Sequence, residues 1–237
     1  MRILSSFDCL KLWEAGVGLH QLDRGLLAAG VAEPDIPPES IADWPLGRRN
    51  LVLSQLHCAS FGRQLEGWTT CRHCGEKLEI QMDGGLLAGG EIPRSPAMAE
   101  SVVVYGRNFR VLTTRDLAKA ATETDVRLAS RRLLESCQLE PGESRAWNDE
   151  ELEEIGQRLA QADPLAETQL ALHCPACEQE SVETLDIVTF LWREIEVRAR
   201  QLLTDVHLLA SAYSWTEAEI FSLSENRRRL YLELVQS

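Results

Sequence analysis

Apolar positions recur at helical spacing through the first sixty or so residues. Phe7, Leu10, Leu12 and Trp13 lie on one side of a helix that Gly16 and Gly18 end, and Leu19, Leu22, Leu26 and Leu27 predict a second helix ending at Gly30. Glu33-Pro34-Asp35-Ile36-Pro37-Pro38 cannot continue a helix and reads as a stiff linker. Pro45 and Gly47 introduce a helix carrying Leu51, Leu53, Leu56 and Phe61. From Trp68 the period changes. Lys77 to Met82 alternates polar and apolar residues until Asp83-Gly84-Gly85, and a Gly- and Pro-rich loop runs to about Pro96. Ser101–Tyr105 and Asn108–Leu112 predict a hairpin turning at Gly106-Arg107. Thr114 is placed to cap a helix from Arg115, a further helix covers Asp125 to about Cys137, and Pro141-Gly142 is a break. Asn148 and Glu151 cap a helix bearing Leu152, Ile155 and Leu159, which Asp163-Pro164 stops. Thr168–His173 and Ser181–Leu185 read as strands. Asp186 then caps a long amphipathic helix through Phe190, Leu191, Ile195, Leu202, Leu203, Val206, Leu209 and Ala210. Tyr213-Ser214-Trp215 interrupts it, Thr216 with Glu219 makes a capping box, and Ser224 caps a last helix through Leu230, Leu232 and Leu234.

The motif that carries chemistry is a pair of Cys-x-x-Cys turns, Cys71-Arg72-His73-Cys74 and Cys174-Pro175-Ala176-Cys177. One such turn presents two sulfurs from a tight loop, half of a tetrahedron around Zn²⁺, and the second turn completes it. Cys71, Cys74, Cys174 and Cys177 are therefore the expected ligands of one structural zinc ion, with no position left for a catalytic water. Gly75 lets the chain leave the first knuckle with φ > 0. Strand-like sequence flanks both turns, the arrangement of a zinc ribbon, although Cys74 and Cys174 lie 100 positions apart (174 − 74). A redox reading of Cys71-Arg72-His73-Cys74 fits less well, because a thioredoxin-like motif opens a helix whose dipole lowers the thiol pKa, and here a strand follows. His73 and His173 each stand beside a ligand, but four sulfurs already suffice. Cys9, Cys58 and Cys137 fall on apolar helical faces and read as small core residues.

The expected fold is thus α+β and mostly helical, a zinc ribbon joining helical N- and C-terminal parts. Residues 1–66 form the first helical region, 67–83 and 166–185 the ribbon, 84–165 an inserted α/β subdomain, and 186–237 the C-terminal helices. The ribbon is expected to staple the N-terminal part to the C-terminal helices and so to set the placement of their docking faces.

Composition narrows the function. A formal net charge of −13 over 237 residues works against a general attraction to nucleic acid, which needs a surplus of Lys and Arg. No apolar run is long enough to span a bilayer, and the N-terminal residues lack the apolar stretch of a secretory leader, so a cytoplasmic site of synthesis is expected. Seven cysteines is an odd number and fits poorly with a fully paired disulfide framework. No Gly-x-x-x-x-Gly-Lys, Gly-x-Ser-x-Gly or His-Glu-x-x-His occurs, and no catalytic or cofactor-binding residue is assigned. Acidic runs such as Glu150-Glu151 and Glu153-Glu154 read as a solvated helix face. One rival reading keeps nucleic acid in view. The C-terminal capped helices with Arg227-Arg228-Arg229 could mimic a helix-turn-helix in a zinc-ribbon regulatory protein.

Several stretches together resemble a family of baseplate proteins from T-even-type contractile phage tails and related phage-derived injection systems. They are Asp186–Glu194, Val206–Ile220 and Arg227–Leu232, with Leu12-Trp13-Glu14, Asp23-Arg24, Pro45–Arg49 and Asp163–Ala166 before the second cysteine pair. The resemblance is weakest between Gly84 and Trp147, and Glu178 departs from it, standing where a second knuckle usually has Gly. It implies a non-enzymatic hub component or hub-assembly chaperone. The partners would then be baseplate, hub or spike proteins, met during cytoplasmic assembly or within the finished particle. Trp44, Arg48, Arg49, Trp192, Trp215 and Tyr231 are the candidate docking residues.

Overall fold

The computed structural model describes residues 3–89, 101–139 and 147–236. The chain opens with α1 (Ser6–Gly16), α2 (Gln21–Ala32), a short α3 (Pro38–Ile41) and α4 (Leu46–Phe61). A first hairpin, β1 (Gln64–Thr70) and β2 (Lys77–Asp83), leads into the single turn α5 (Gly85–Ala88). After it come β3 (Ser101–Val104), β4 (Arg107–Arg110), α6 (Thr114–Ala120), α7 (Val126–Ser136) and α8 (Asp149–Ala162). A second cysteine-bearing hairpin, β5 (Thr168–His173) and β6 (Glu180–Leu185), feeds the long α9 (Ile187–Tyr213), then α10 (Glu217–Ser222) and α11 (Glu225–Gln236). Each strand pair is a separate two-stranded antiparallel sheet.

Most expected elements stand where the pattern placed them. The short helices α3 and α5 were missed, since their prolines and glycines hide a single turn. One cap moves by a residue. Thr113, not Thr114, caps α6, because its hydroxyl and the Asp116 carboxylate exchange hydrogen bonds with each other's backbone N–H groups. The predicted break at Pro141-Gly142 and the end of the predicted loop near Pro96 lie outside the described residues.

The helices at the two ends of the chain share one core. Cys9 and Leu12 of α1, Ala28 and Ala29 of α2, Leu53 and Leu56 of α4, and Val188, Leu191, Trp192 and Ile195 of α9 are all buried in it. On α9 the buried positions step through Ile187, Leu191, Ile195, Ala199 and Leu202, one stripe of a helix about 40 Å long. A staple is therefore not what brings the terminal parts together; apolar packing already does. Val104, Val111, Cys137, Leu152 and Leu159 build a second core around Phe109, Trp147 and Ile155, all from the stretch between the two cysteine-bearing hairpins.

The two cores meet at the start of α4. Leu46 N donates to Leu112 O at 2.9 Å, and Gly47 N donates to the Asp163 carboxylate at 2.9 Å. Asn50 Nδ2 donates to the Leu165 and Ala166 carbonyls at 2.8 and 3.2 Å. Arg49, expected to face solvent or a partner, is 5% exposed. Its Nη1 donates to Thr114 Oγ1 at 2.9 Å, and burial holds its pKa below the usual value. Trp44 and Trp192 are also inside, at 3% and 6% exposure, and Arg48 lies over the Trp44 ring at 4.0 Å. Trp44, Arg49 and Trp192 are packed within the fold, while Arg48 is half-buried.

Gly47 shows how tight this junction is. A Cβ built there falls 1.8 Å from Asp163 Oδ1, so the carboxylate that caps α4 would have to leave. Gly47→Ala is expected to destabilise the protein by about 1–3 kcal/mol, despite alanine's better helix propensity. Thermal unfolding followed by circular dichroism checks this; an unchanged or raised midpoint would refute the close approach.

Candidate metal centre

The two knuckles are built alike from their backbones upward. In the first, Cys71 N donates to Glu76 O at 2.8 Å and Gly75 N to Cys71 O at 2.9 Å. In the second, Cys174 N donates to Gln179 O at 3.0 Å and Glu178 N to Cys174 O at 2.9 Å. The strands flank them in matching register, with Thr70 opposite Lys77 and His173 opposite Glu180. Both turns thus follow one template displaced by 103 residues (174 − 71 and 180 − 77).

Each hairpin runs from the helical core to the cysteines. Leu65, Met82, Leu170 and Leu185 pack at the core end, while Leu78 and Leu172 pack beside the sulfurs. Gly67 allows β1 to pass close over α9, since a Cβ there would sit 2.8 Å from the Phe190 ring. Arg72 of the first knuckle pairs with Glu183 of β6, Nε to Oε1 at 2.8 Å. That ion pair is largely solvent-exposed on the arginine side, so it orients the hairpins more than it stabilises them. Nothing in the sequence pattern marked it, because the partners lie 111 residues apart.

The structure brings all four predicted ligands together. The sulfurs of Cys71, Cys74, Cys174 and Cys177 lie within 4.8 Å of one another. Across the hairpins, Cys71 and Cys177 are 3.7 Å apart and Cys74 and Cys174 3.6 Å apart. A regular tetrahedron of sulfurs about 2.3 Å from a central zinc has edges of about 3.8 Å. The donor set therefore fits a metal ion of that size, and all four cysteines are free thiols. His73 and His173 are exposed beside the cluster. Cys9 and Cys137 are buried in the apolar cores and burial pushes each thiol up to about 11, whereas Cys58 is half-buried.

Thiol electrostatics favour a cation. Backbone N–H groups of Cys74 and His73 donate to the Cys71 sulfur and bring its pKa down to about 6. At Cys74 the Glu76 N–H also favours the thiolate, but the neighbouring thiols and burial outweigh it and push the group up to about 12. Cys177 is raised by burial and by the Cys174 and Cys71 thiols, against a lowering hydrogen bond from Gln179. Without a cation, the cluster accommodates one negative charge more readily than four. A divalent ion held by these sulfurs would offset their charge and displace the remaining protons.

The second knuckle carries a strained residue. Glu178 has φ +58° where the first knuckle has Gly75 at φ +79°. A side chain in that left-handed region costs roughly 1–2 kcal/mol, partly offset by glycine's larger loss of freedom on folding. Glu178→Gly is expected to stabilise the protein by about 0.5–1 kcal/mol without changing metal content, read from denaturant midpoints and metal analysis.

Comparison of the chain with family models, curated proteins and solved structures produced no match to any of the three. No helix among the described residues is long and apolar enough to cross a membrane.

Proposed function

We propose that the four cysteines hold one structural zinc ion, completing a zinc ribbon from two distant knuckles, in a non-enzymatic protein that assembles or braces the baseplate of a contractile phage tail or phage-tail-like injection system. The observation that carries the metal reading is the cluster of four sulfurs, with its cross-hairpin separations of 3.6 and 3.7 Å. Thiolates favour zinc among divalent ions, and a four-sulfur set leaves no coordination position open for substrate. The assembly role is supported by the resemblance of the C-terminal helices and the α4 junction to baseplate proteins. Of the candidate aromatic docking residues, Trp215 and Tyr231 remain half-buried. They form an aromatic cluster with Tyr213, at ring separations of 4.7 to 5.6 Å, beside the exposed Leu230 and Leu234. The nucleic-acid alternative has less behind it. Arg228 is 7% exposed and faces Asp205, Arg227 lies over the Tyr231 ring and Arg229 reaches Glu233, so all three arginines have partners within the fold.

Elemental analysis of protein purified under reducing conditions is expected to return one zinc per chain. Mass spectrometry of purified particles and of assembly intermediates from the same cells is expected to find the chain with hub or spike proteins. Absence of the chain from both preparations, or tight salt-sensitive binding to DNA instead, would overturn the assembly reading.

A further inference from the structure

We propose that the four-sulfur cluster is a convertible staple: peroxide exchanges its metal for disulfides that join the same two hairpins, starting at Cys74. The inference rests on the metal reading of these cysteines and not on the assembly role. Its basis is which sulfurs face which. Two sulfur contacts cross between the hairpins, Cys74 with Cys174 at 3.6 Å and Cys71 with Cys177 at 3.7 Å. Exposure then sets the order. Cys71 and Cys174 are 4% and 1% exposed, Cys177 is half-buried and Cys74 is exposed. An oxidant arriving from solvent meets Cys74 first.

The chemistry balances with hydrogen peroxide as the oxidant. The Cys74 sulfur attacks one peroxide oxygen; the O–O bond breaks, hydroxide leaves, and the sulfur, oxidised by two electrons, becomes a sulfenic acid. That group no longer serves as a thiolate ligand, so one corner of the metal site opens. The Cys174 thiolate then attacks the Cys74 sulfur. An S–S bond forms, the S–O bond breaks, and the departing hydroxide takes a proton to become water. A second peroxide repeats the sequence on Cys71 and Cys177. Each dithiol and peroxide yields one disulfide and two waters, and the metal ion departs with its oxidation state unchanged.

The consequence depends on pairing. Disulfides within each Cys-x-x-Cys turn would leave the hairpins unlinked once the metal had gone. Disulfides across the turns keep β1–β2 tied to β5–β6, so the link persists from a reducing cytoplasm into an oxidising medium.

The test starts with reduced, zinc-loaded protein titrated with hydrogen peroxide. A chromophoric chelator follows zinc, and peptide mapping without reductant follows the disulfides. The expected result is loss of one zinc per chain, a Cys74–Cys174 linked peptide appearing first, and a Cys71–Cys177 linked peptide later. Zinc release accompanied by Cys71–Cys74 and Cys174–Cys177 disulfides overturns this proposal and leaves the metal reading intact, as does retention of zinc under peroxide. Protein that holds no zinc before oxidation overturns both.

Discussion

Cys174→Ser is expected to leave the purified protein with well under one zinc per chain and with both hairpins loosened, while the helical core stays folded. Cys174 is 1% exposed and supplies one of four sulfurs, and a hydroxyl is a poor substitute for a thiolate. Loss of orienting groups around a metal already costs about 10–100-fold in affinity, so loss of a ligand is expected to cost at least on the order of a hundredfold. In small zinc peptides the metal contributes roughly 10–16 kcal/mol and its removal unfolds the whole chain. Here the effect is expected to be regional. Residues at the sulfur end of the hairpins have little else to pack on beyond Leu78 and Leu172, whereas α1, α2, α4 and α9 share an apolar core that does not include the sulfurs. Amide exchange should therefore accelerate in 64–83 and 168–185 and stay slow around Leu53, Leu191 and Ile195. Global unfolding of the variant, or full zinc occupancy, would contradict this placement of the metal. Acid should act as the substitution does, since each thiolate must be held against protonation for the metal to stay.

Asp116→Ala should give the largest loss of stability outside the cysteine cluster. The Asp116 side chain is 1% exposed and accepts from Arg110 Nη1 and Nη2 at 2.6 and 2.8 Å, Thr113 Oγ1 at 2.7 Å, Thr113 N at 3.0 Å and Ser136 Oγ at 3.1 Å. Those bonds tie β4, α6 and the end of α7 to one carboxylate. Removing it leaves the Arg110 guanidinium without its carboxylate and takes away the Asp116 half of the α6 capping box. Breaking a buried pair costs about 3–5 kcal/mol, and the 27% exposure of Arg110 places the expectation near 3 kcal/mol. For a chain of this size that lowers the melting midpoint by roughly 6–12 °C.

The pH dependence has a definite sign. Burial alone would raise the Asp116 pKa, but Arg110 and Thr113 overcome it and hold the group at about 2, against an ordinary 3.8. A carboxyl lowered on folding contributes stability that is fully present above its unfolded value and disappears as pH falls through its folded value. The shift corresponds to roughly 2–3 kcal/mol, present at neutral pH and lost between about pH 4 and pH 2. Wild type should lose that increment over the window and Asp116→Ala should not, so their melting curves should converge in acid. A gap that stays constant with pH would show that the carboxylate's charge is not what matters.

Arg110 and Asp116 were silent in the chain, although they lie only six residues apart. Arginine on a short strand and aspartate in a first helical turn both read as surface positions, and Thr114 looked like the cap. Only the folding of α7 back over α6, bringing Ser136 to the same carboxylate, closes that network. Arg49 misled for the same reason. A doublet of arginines at a helix start reads as solvated until α6 places Thr114 above it.

What the chain determines alone is what short stretches can settle. Capping boxes at Thr216 and Asn148 need only the next three residues, and the stripe on α9 needs only a helical period. Each Cys-x-x-Cys turn closes through its own backbone hydrogen bonds, so which four cysteines would cluster was readable from spacing. Tertiary structure decided everything that depends on two distant stretches meeting. It made apolar packing between α1, α2, α4 and α9, rather than a metal, the bond between the ends of the chain. It turned Pro45–Arg49 and Asp163–Ala166 into the two sides of one junction, and it paired the sulfurs across hairpins. The division follows from range: hydrogen bonds and periodicity act within a few residues, whereas burial is assigned only when the whole surface has been folded away from water.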